Sequence, residues 1–468
     1  MSSEPSLGRV DSMDQFRGFT VLSMFIVNFV HHMAAIGPFW KHNDNYVTFA
    51  DWIMPGFIFA VGFSYRLTVL KRLQKYSAAK TYFTYFRRSL ALILVSLMLY
   101  GFGGSFRSWD DFFAKEEIQV KDESGQLQTE EVNNTFQFVM QLIKSNLWEV
   151  LSIIAVCQIF VMPVIARGSL VRFLVMIGLL VAHVLISVLF NWAFVHGDQS
   201  NWMVQLWQTG DNRSWDGGFF GIISWSVAML AGTLVYDILA SNSRGNAGGK
   251  IFLFAAVFMI IGYVLSCGTR FYDIPLDEPR PEKYSPEPMI PDFSKAAGRG
   301  WTGLLAEPPF VMPPQPDQQS VNDRLKQLEE MEAKTDLDEE QKKELTNLRR
   351  SLQGVHHYEY GRQWNYWMMY KRMVSVSFIL FATGVAIAIY ALFVLLTDIA
   401  GLHVGVFRTF GMNPLAAYAI HHVVGHSMEN LAPNDAPLWY CWFITFVFMA
   451  INYLFVRHLE KHNIYIRL

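Results

Sequence analysis

Asp14, Arg17 and Asn28 lie on one apolar stretch near the start of the chain, His42 follows in the next connection, and Asp51 opens the second apolar stretch. On a helix Asp14 and Arg17, three residues apart, share a face, and Asn28 stands eleven residues, about three turns, beyond Arg17 on the same side. His31 and His32 come one turn later. Buried polar groups in hydrocarbon cost several kcal/mol unless satisfied, so such a line marks function or tight packing. An interfacial ion pair accounts for Asp14 with Arg17, and an interhelical hydrogen bond accounts for Asn28. Neither accounts for the whole line. A neutral imidazole at its end offers general-base or nucleophilic chemistry.

A second cluster comes late, in Gly411-Met-Asn-Pro-Leu-Ala-Ala-Tyr-Ala-Ile-His-His. Asn413 and His421 are eight residues apart and share a helix face within about 80°, with Tyr418 between them. Pro414 removes a backbone donor and opens the helix locally, which suits a site lined by freed carbonyls. His422 and His426 are four apart, but no metalloprotease spacing accompanies them and no metal is expected. Glu149, Gln158, His183, Asn191, Asp237 and Asn452 read as packing or boundary residues.

The elements that must position these groups are membrane helices. Of 468 residues 52% are hydrophobic and only 17% charged, too apolar for a soluble protein of this size. About ten runs are long enough for a hydrocarbon core of roughly 30 Å. They fall at 15–36, 47–65, 87–105, 147–166, 171–195, 218–238, 250–267, 373–397, 404–426 and 438–457. The expected fold is an all-α polytopic membrane protein, and the first run, polar throughout, does not read as a cleavable signal. Arg66, Lys71, Arg72, Lys75, Lys80, Arg87 and Arg88 crowd one short connection without an acidic residue, which places it in the cytoplasm. Every second connection after it agrees, so both termini are expected inside and His42 outside. Residues 268–365 depart from membrane composition: a proline-rich half, then a helical hairpin expected at 322–352. The chain thus divides into membrane domain 1–267, extracytoplasmic insertion 268–365 between spans seven and eight, and membrane domain 366–468. A net charge of −2 and the lack of a basic, aromatic-interleaved stripe argue against nucleic acid. Cys157, Cys267 and Cys441 lie in or at the end of apolar runs and suggest neither disulfide nor zinc.

Two blocks resemble the heparan-α-glucosaminide N-acetyltransferases and their bacterial relatives. The first comprises Arg9, Ser12, Asp14, Phe16, Arg17, Gly18, Val27, Asn28, Lys41, His42, Thr48, Ala50 and Asp51; the second comprises Gly411, Met412, Asn413, Tyr418 and His421. The resemblance implies a transmembrane acyltransferase with acetyl-CoA as cytoplasmic co-substrate and an amino sugar or glycan as extracytoplasmic acceptor. It implies His42 as the catalytic residue and Asn28 as its partner beside the reacting group. Asp14, Arg17, Asp51, Asn413, Tyr418 and His421 become candidate substrate or CoA contacts, with Arg17 suited to a phosphate or pantetheine. Direct transfer and an acetyl-histidine relay both fit. The connection after Asn28 is longer than the family pattern, which keeps His31 and His32 open as alternative bases. The fourth span also reads Asn146-Leu-Trp-Glu-Val-Leu-Ser where relatives carry arginines.

A transporter or channel is the main rival class, since a polar first span also suits a substrate pathway. No inverted repeat, no matched pair of broken helices and no mid-span ion-coupling acid supports it. A membrane scaffold displaying the insertion, and O-acetylation of a glycan on the same fold, are further alternatives. Uncleaved N-in topology fits a bacterial inner membrane best, with a lysosomal membrane as the other setting. Acceptor identity and any homo-oligomer stay open.

Overall fold

The computed structural model describes residues 10–272 except 45, 104–105 and 122–125, residues 284–296 except 286, residues 363–466, and a few between 326 and 345. Arg9 and most of the hairpin expected at 322–352 lie outside the described residues.

Apolar stretches with no external hydrogen-bond partner must satisfy their own backbone, and they do so as helices. A helix occupies each of the ten stretches. In chain order these are α1 (Asp11–Val30), α2 (Ile53–Leu73), α3 (Ala78–Tyr100), α4 (Asn134–Asn146) with α5 (Val150–Val161), α6 (Ser169–His196), α7 (Gly218–Ser241), α8 (Arg244–Tyr272), α9 (Val376–Ile399), α10 (Gly405–Met412) with α11 (Pro414–Met428), and α12 (Leu438–Lys461). Among the described residues seven of these are long and apolar enough to cross a membrane, or eight if the α4–α5 pair, bent by 86°, counts as one span. The expected ten are therefore not reached by length and apolarity. α1 falls short through the polar residues that made it conspicuous, and the α10–α11 stretch is interrupted where Asn413 leaves helical geometry ahead of Pro414. A two-stranded antiparallel hairpin, β1 (Lys115–Lys121) and β2 (Leu127–Asn133), fills part of the connection between α3 and α4.

α1 packs on α10, α2 on α7, and α8 on α9. The first two contacts are backbone-close because glycines face each other. A Cβ on Gly18 would stand 1.7 Å from the Phe407 carbonyl oxygen, and one on Gly411 would stand 2.1 Å from that of Asp14. Gly62 and Gly232 make the same reciprocal approach between α2 and α7, at 2.0 Å from Met229 O and 2.1 Å from Phe59 O. Small residues that let membrane helices touch are a general device of bundles. The two sequence blocks from opposite ends of the chain are thus packing partners.

Arg66 is not part of a connection. It lies within α2, 1% exposed, and donates to both carboxylate oxygens of Asp237, which also pairs with the buried Arg172. A guanidinium consumed this way does not belong with the solvent-facing cations of residues 71–88.

Candidate active site

The connection from α1 to α2 is a folded loop. Pro38–Trp40 form a 3₁₀ turn, which the fixed φ of proline favours. Phe49 N donates to Phe39 O at 3.1 Å, and Trp40 meets Phe49 and Trp442 edge-on. Lys41 turns inward and donates to Met33 O at 2.6 Å. Burial pushes its ammonium down to about 8. Ala34 N and the His32 ring both bond the 432–434 segment, to Asn434 O at 2.7 Å and Ala432 O at 3.1 Å. The residues that lengthen this loop therefore dock it onto the connection between α11 and α12, some 400 residues on in sequence.

Thr48-Phe-Ala-Asp forms the entry turn of α2 and aims one carboxylate. Asp51 is fully buried; its Oδ2 accepts from Thr48 N at 3.0 Å, Thr48 Oγ1 at 2.8 Å and Asn43 N at 3.2 Å. Oδ1 is left to the His42 ring, 2.8 Å from Nδ1. A carboxylate accepting from Nδ1–H fixes the tautomer and leaves Nε2 as the bare, basic nitrogen. The His42 side chain is 46% exposed and faces a cavity of 1090 Å³.

That cavity brings together Asn28, His31, His32, His42 and His421. Asn28, at the last turn of α1, is exposed to it. His31 Nδ1 is bonded to Asn28 O at 2.6 Å and the His32 ring to Ala432 O, so neither has a buried carboxylate to orient it. His421 is stacked on Phe25 at 4.6 Å and bonded to Tyr418 O. Tyr418 stands behind the wall, bonded through its hydroxyl to Tyr100, which also bonds His422 Nε2 at 2.7 Å.

Other candidates lie elsewhere. Asp14 and Arg17 pair with each other at the opposite end of α1, beyond Met24, the lining residue of α1 farthest from His42. Ser12 of the same block ties that end to Asp398, through its backbone N–H at 3.1 Å and Oγ at 2.8 Å. Asn413, fully buried, donates to Ile464 O at 2.9 Å and accepts from Ile466 N at 3.1 Å, so its amide is spent on clamping the 464–466 segment.

Several cavity residues escaped the sequence reading. Lys371 Nζ lies 3.4 Å from His42 Nδ1 and 3.8 Å from an Asp216 oxygen, and Arg372 Nε lies 4.0 Å from Asp44. Burial raises the Asp44 carboxyl while Arg372 opposes the rise. Tyr100 lines the same cavity, as does Glu149, which the sequence marked only as a packing or boundary residue. A signal existed: Lys371-Arg372 is a basic pair on the side that charge placement assigns to the exterior, where lysine and arginine are depleted.

Fold and site together define a helical membrane protein with a carboxylate-oriented histidine in a large cavity, an arrangement suited to acyl transfer. The model of the heparan-alpha-glucosaminide N-acetyltransferase catalytic family matches residues 9–265, more than half of the chain, and the chain belongs to that family. An acetyltransferase-like function follows from that membership. The match contains Asn28, His42 and Asp51 and ends before the Gly411 block. No curated protein matches the chain.

Proposed function

We propose that the protein transfers an acetyl group from cytoplasmic acetyl-CoA to an amino sugar or glycan on the extracytoplasmic side of a membrane. The observation that carries this reading is the His42–Asp51 pair, 2.8 Å apart and open to the cavity on the ring side. A neutral acceptor amine attacks the thioester carbonyl, the N–C bond forms, and the C–S bond breaks with CoA leaving as thiolate. His42 Nε2 takes the proton from the amine. Asn28 donates its amide N–H to the carbonyl oxygen as negative charge builds there. In a relay the same imidazole first takes the acetyl group covalently.

At the far end of α1, Arg17, partly exposed and paired with Asp14, is the candidate contact for the CoA phosphates. Tyr418 and His421 support the cavity wall, and Asn413 fixes the break between α10 and α11. Tyr284 and Trp364, which flank most of the insertion, line the cavity, which supports placing residues 268–365 on the His42 side between the two membrane segments. The lysine and arginine placement supports cytoplasmic termini, and a bacterial inner membrane is the setting this reading proposes.

The test is acetyl transfer by the purified protein in liposomes, with labelled acetyl-CoA and acceptors led by a glucosamine-terminated saccharide. Label is expected in the saccharide and expected to fall at least a hundredfold in His42→Ala, within the usual range for removing a general base. Transfer that survives His42→Ala moves the base to His31, His32 or His421. No transfer with any acceptor overturns the reading. Label retained on the protein in the absence of acceptor selects the relay.

A further inference from the structure

The cavity rim at the His42 end carries a construction that the transfer chemistry does not use. Two dipeptides from distant parts of the chain pair crosswise: Lys371 with Asp216 at 3.8 Å, and Arg372 with Trp215, the guanidinium 3.8 Å from the ring centroid. Gly217 N donates to Arg372 O at 2.8 Å and locks the two segments together. Both are held in backbone conformations that side chains seldom adopt. Asp216 has φ 50° and Val374 φ 52°, and Gly217 and Gly218 are also left-handed at 80° and 58°. Trp225 Nε1 bonds Asp216 O at 2.9 Å, and Ser224 Oγ bonds Val374 O at 2.7 Å, so α7 fixes both turns from below. Backbone strain of this kind persists where surrounding structure over-determines it, and it gathers at ligand clamps.

What this construction holds is an open indole. Trp215 is 60% exposed although it lines the cavity, while the cation stacked on it is only 10% exposed. Arg372 covers one face of the ring, and among the described residues no other ring or cation stacks on it. A second stack of the same kind, Arg213 over Tyr284 at 5.9 Å, stands on the same rim. Asp44 and Asp216 add carboxylate acceptors beside the rings. An apolar ring face bordered by hydrogen-bonding groups matches a pyranose, which presents a C–H face and a rim of hydroxyls. Lys371 reaches His42, and its neighbour Arg372 reaches both Trp215 and Asp44, two residues from His42, so indole and imidazole line the same end of one cavity. The indole therefore shares the His42 end of the cavity, where the rest of a glycan has to be held once its terminal sugar reaches the imidazole.

We infer that Trp215, backed by Arg372, is the stacking platform for the second sugar ring of the acceptor, so that the preferred acceptor is an oligosaccharide and not a free amino sugar. This rests on the acetyltransferase reading above. The competing explanation is an indole that serves only as an interfacial anchor, as tryptophans at membrane surfaces do.

The experiment compares the wild type, Trp215→Ala and Trp215→Phe, full-length in liposomes, with labelled acetyl-CoA and either glucosamine or a glucosamine-terminated tetrasaccharide. Trp215→Ala is expected to raise KM for the tetrasaccharide about tenfold, equivalent to about 1.4 kcal/mol. Its kcat and the KM for glucosamine should stay within twofold, and Trp215→Phe should recover most of the tetrasaccharide KM. Unchanged tetrasaccharide KM in Trp215→Ala, or an equal rise for both acceptors, overturns the platform while leaving the acetyltransferase intact. A wild type that labels neither saccharide overturns the function itself. Trp215→Phe keeps the test decisive if Trp215→Ala fails to fold, since a ring without the indole edge separates stacking from anchoring by its tetrasaccharide KM.

Discussion

Replacing Asp51 with asparagine should disable His42 without disturbing the loop that carries it. Three donors converge on Oδ2 (Thr48 N, Thr48 Oγ1 and Asn43 N), so an acceptor atom must stay there. An asparagine at this position is forced to keep its oxygen on those donors and to turn its NH₂ toward the imidazole, 2.8 Å away in the native pair. Two donors cannot face each other, so the ring gives up its Nδ1 proton and carries one on Nε2. The nitrogen facing the cavity is then blocked. The lost charge-assisted hydrogen bond is worth about 1.5–3 kcal/mol. The wrong tautomer adds to it, and the same exchange at a serine-protease triad lowers kcat about 10⁴-fold. A fall of about 10³–10⁴ in kcat is expected for Asp51→Asn, roughly 4–5.5 kcal/mol of transition-state stabilisation. Acceptor KM should move little, because the loop and cavity keep their shape. The assay is initial-rate transfer from labelled acetyl-CoA, with size-exclusion elution as the folding control. A folded Asp51→Asn enzyme with kcat within threefold of wild type would refute the tautomer argument and the assignment of His42 as base.

Two further outcomes test packing and electrostatics. Gly18→Ala inserts a methyl 1.7 Å from the Phe407 carbonyl oxygen, so α1 and α10 must part by more than an ångström. Overpacking of this sort costs about 1–3 kcal/mol. The thermal midpoint in detergent should fall by several degrees, and Gly411→Ala should do the same. The double variant should fall short of the sum, because both act on one crossing; an unchanged midpoint would contradict the close approach. Lys41 titrates at about 8 in the folded protein against 10.5 in an open chain. Between those values the unfolded chain binds a proton that the folded one does not, so the stability contributed by this site rises with pH across pH 8–10.5, by about 3 kcal/mol in all. Below pH 8 both states are charged and the penalty is constant. Thermal midpoints measured from pH 7.5 to 10 should therefore climb more in wild type than in Lys41→Met, and parallel curves would contradict the burial of the ammonium.

Much of this was legible before any coordinates. A helix stands on each apolar run, although α4 lies ahead of the 147–166 run and seven of the described helices are long and apolar enough to cross a membrane; Asn28 and His42 line one cavity, with Asp51 buried behind His42. What composition could not say is which motif residues do chemistry and which do packing. Gly18 and Gly411 look alike in either role, because a tight helix crossing and a substrate path both need small side chains. Asn413 reads as a polar group inside a span, yet its amide is occupied at both ends by the 464–466 segment. Arg66 reads as a loop cation because hydropathy sees only its charge. Its carboxylate, Asp237, comes from α7, 171 residues away. Lys371 meets His42 across 329 residues, a juxtaposition no periodicity encodes.

The geometry along α1 narrows how donor and acceptor can meet. Met24, the cavity-lining residue of α1 farthest from His42, is seven positions from Arg17, about 10 Å at 1.5 Å per residue. Asn28 is a further four positions on, within reach of a carbonyl inside the cavity. If Arg17 holds the phosphate end of acetyl-CoA, the acyl arm must cross those 10 Å alongside the Gly18–Gly411 contact, where side chains are smallest and the two motif blocks face each other. The glycine crossing itself is closed, backbone to backbone, so such an arm has to pass beside it and not through it. The proposed arrangement also sets an order of sensitivity: widening the crossing with Gly411→Ala should raise KM for acetyl-CoA before it alters KM for the acceptor, which that proposal seats at the end where Trp215 and His42 stand.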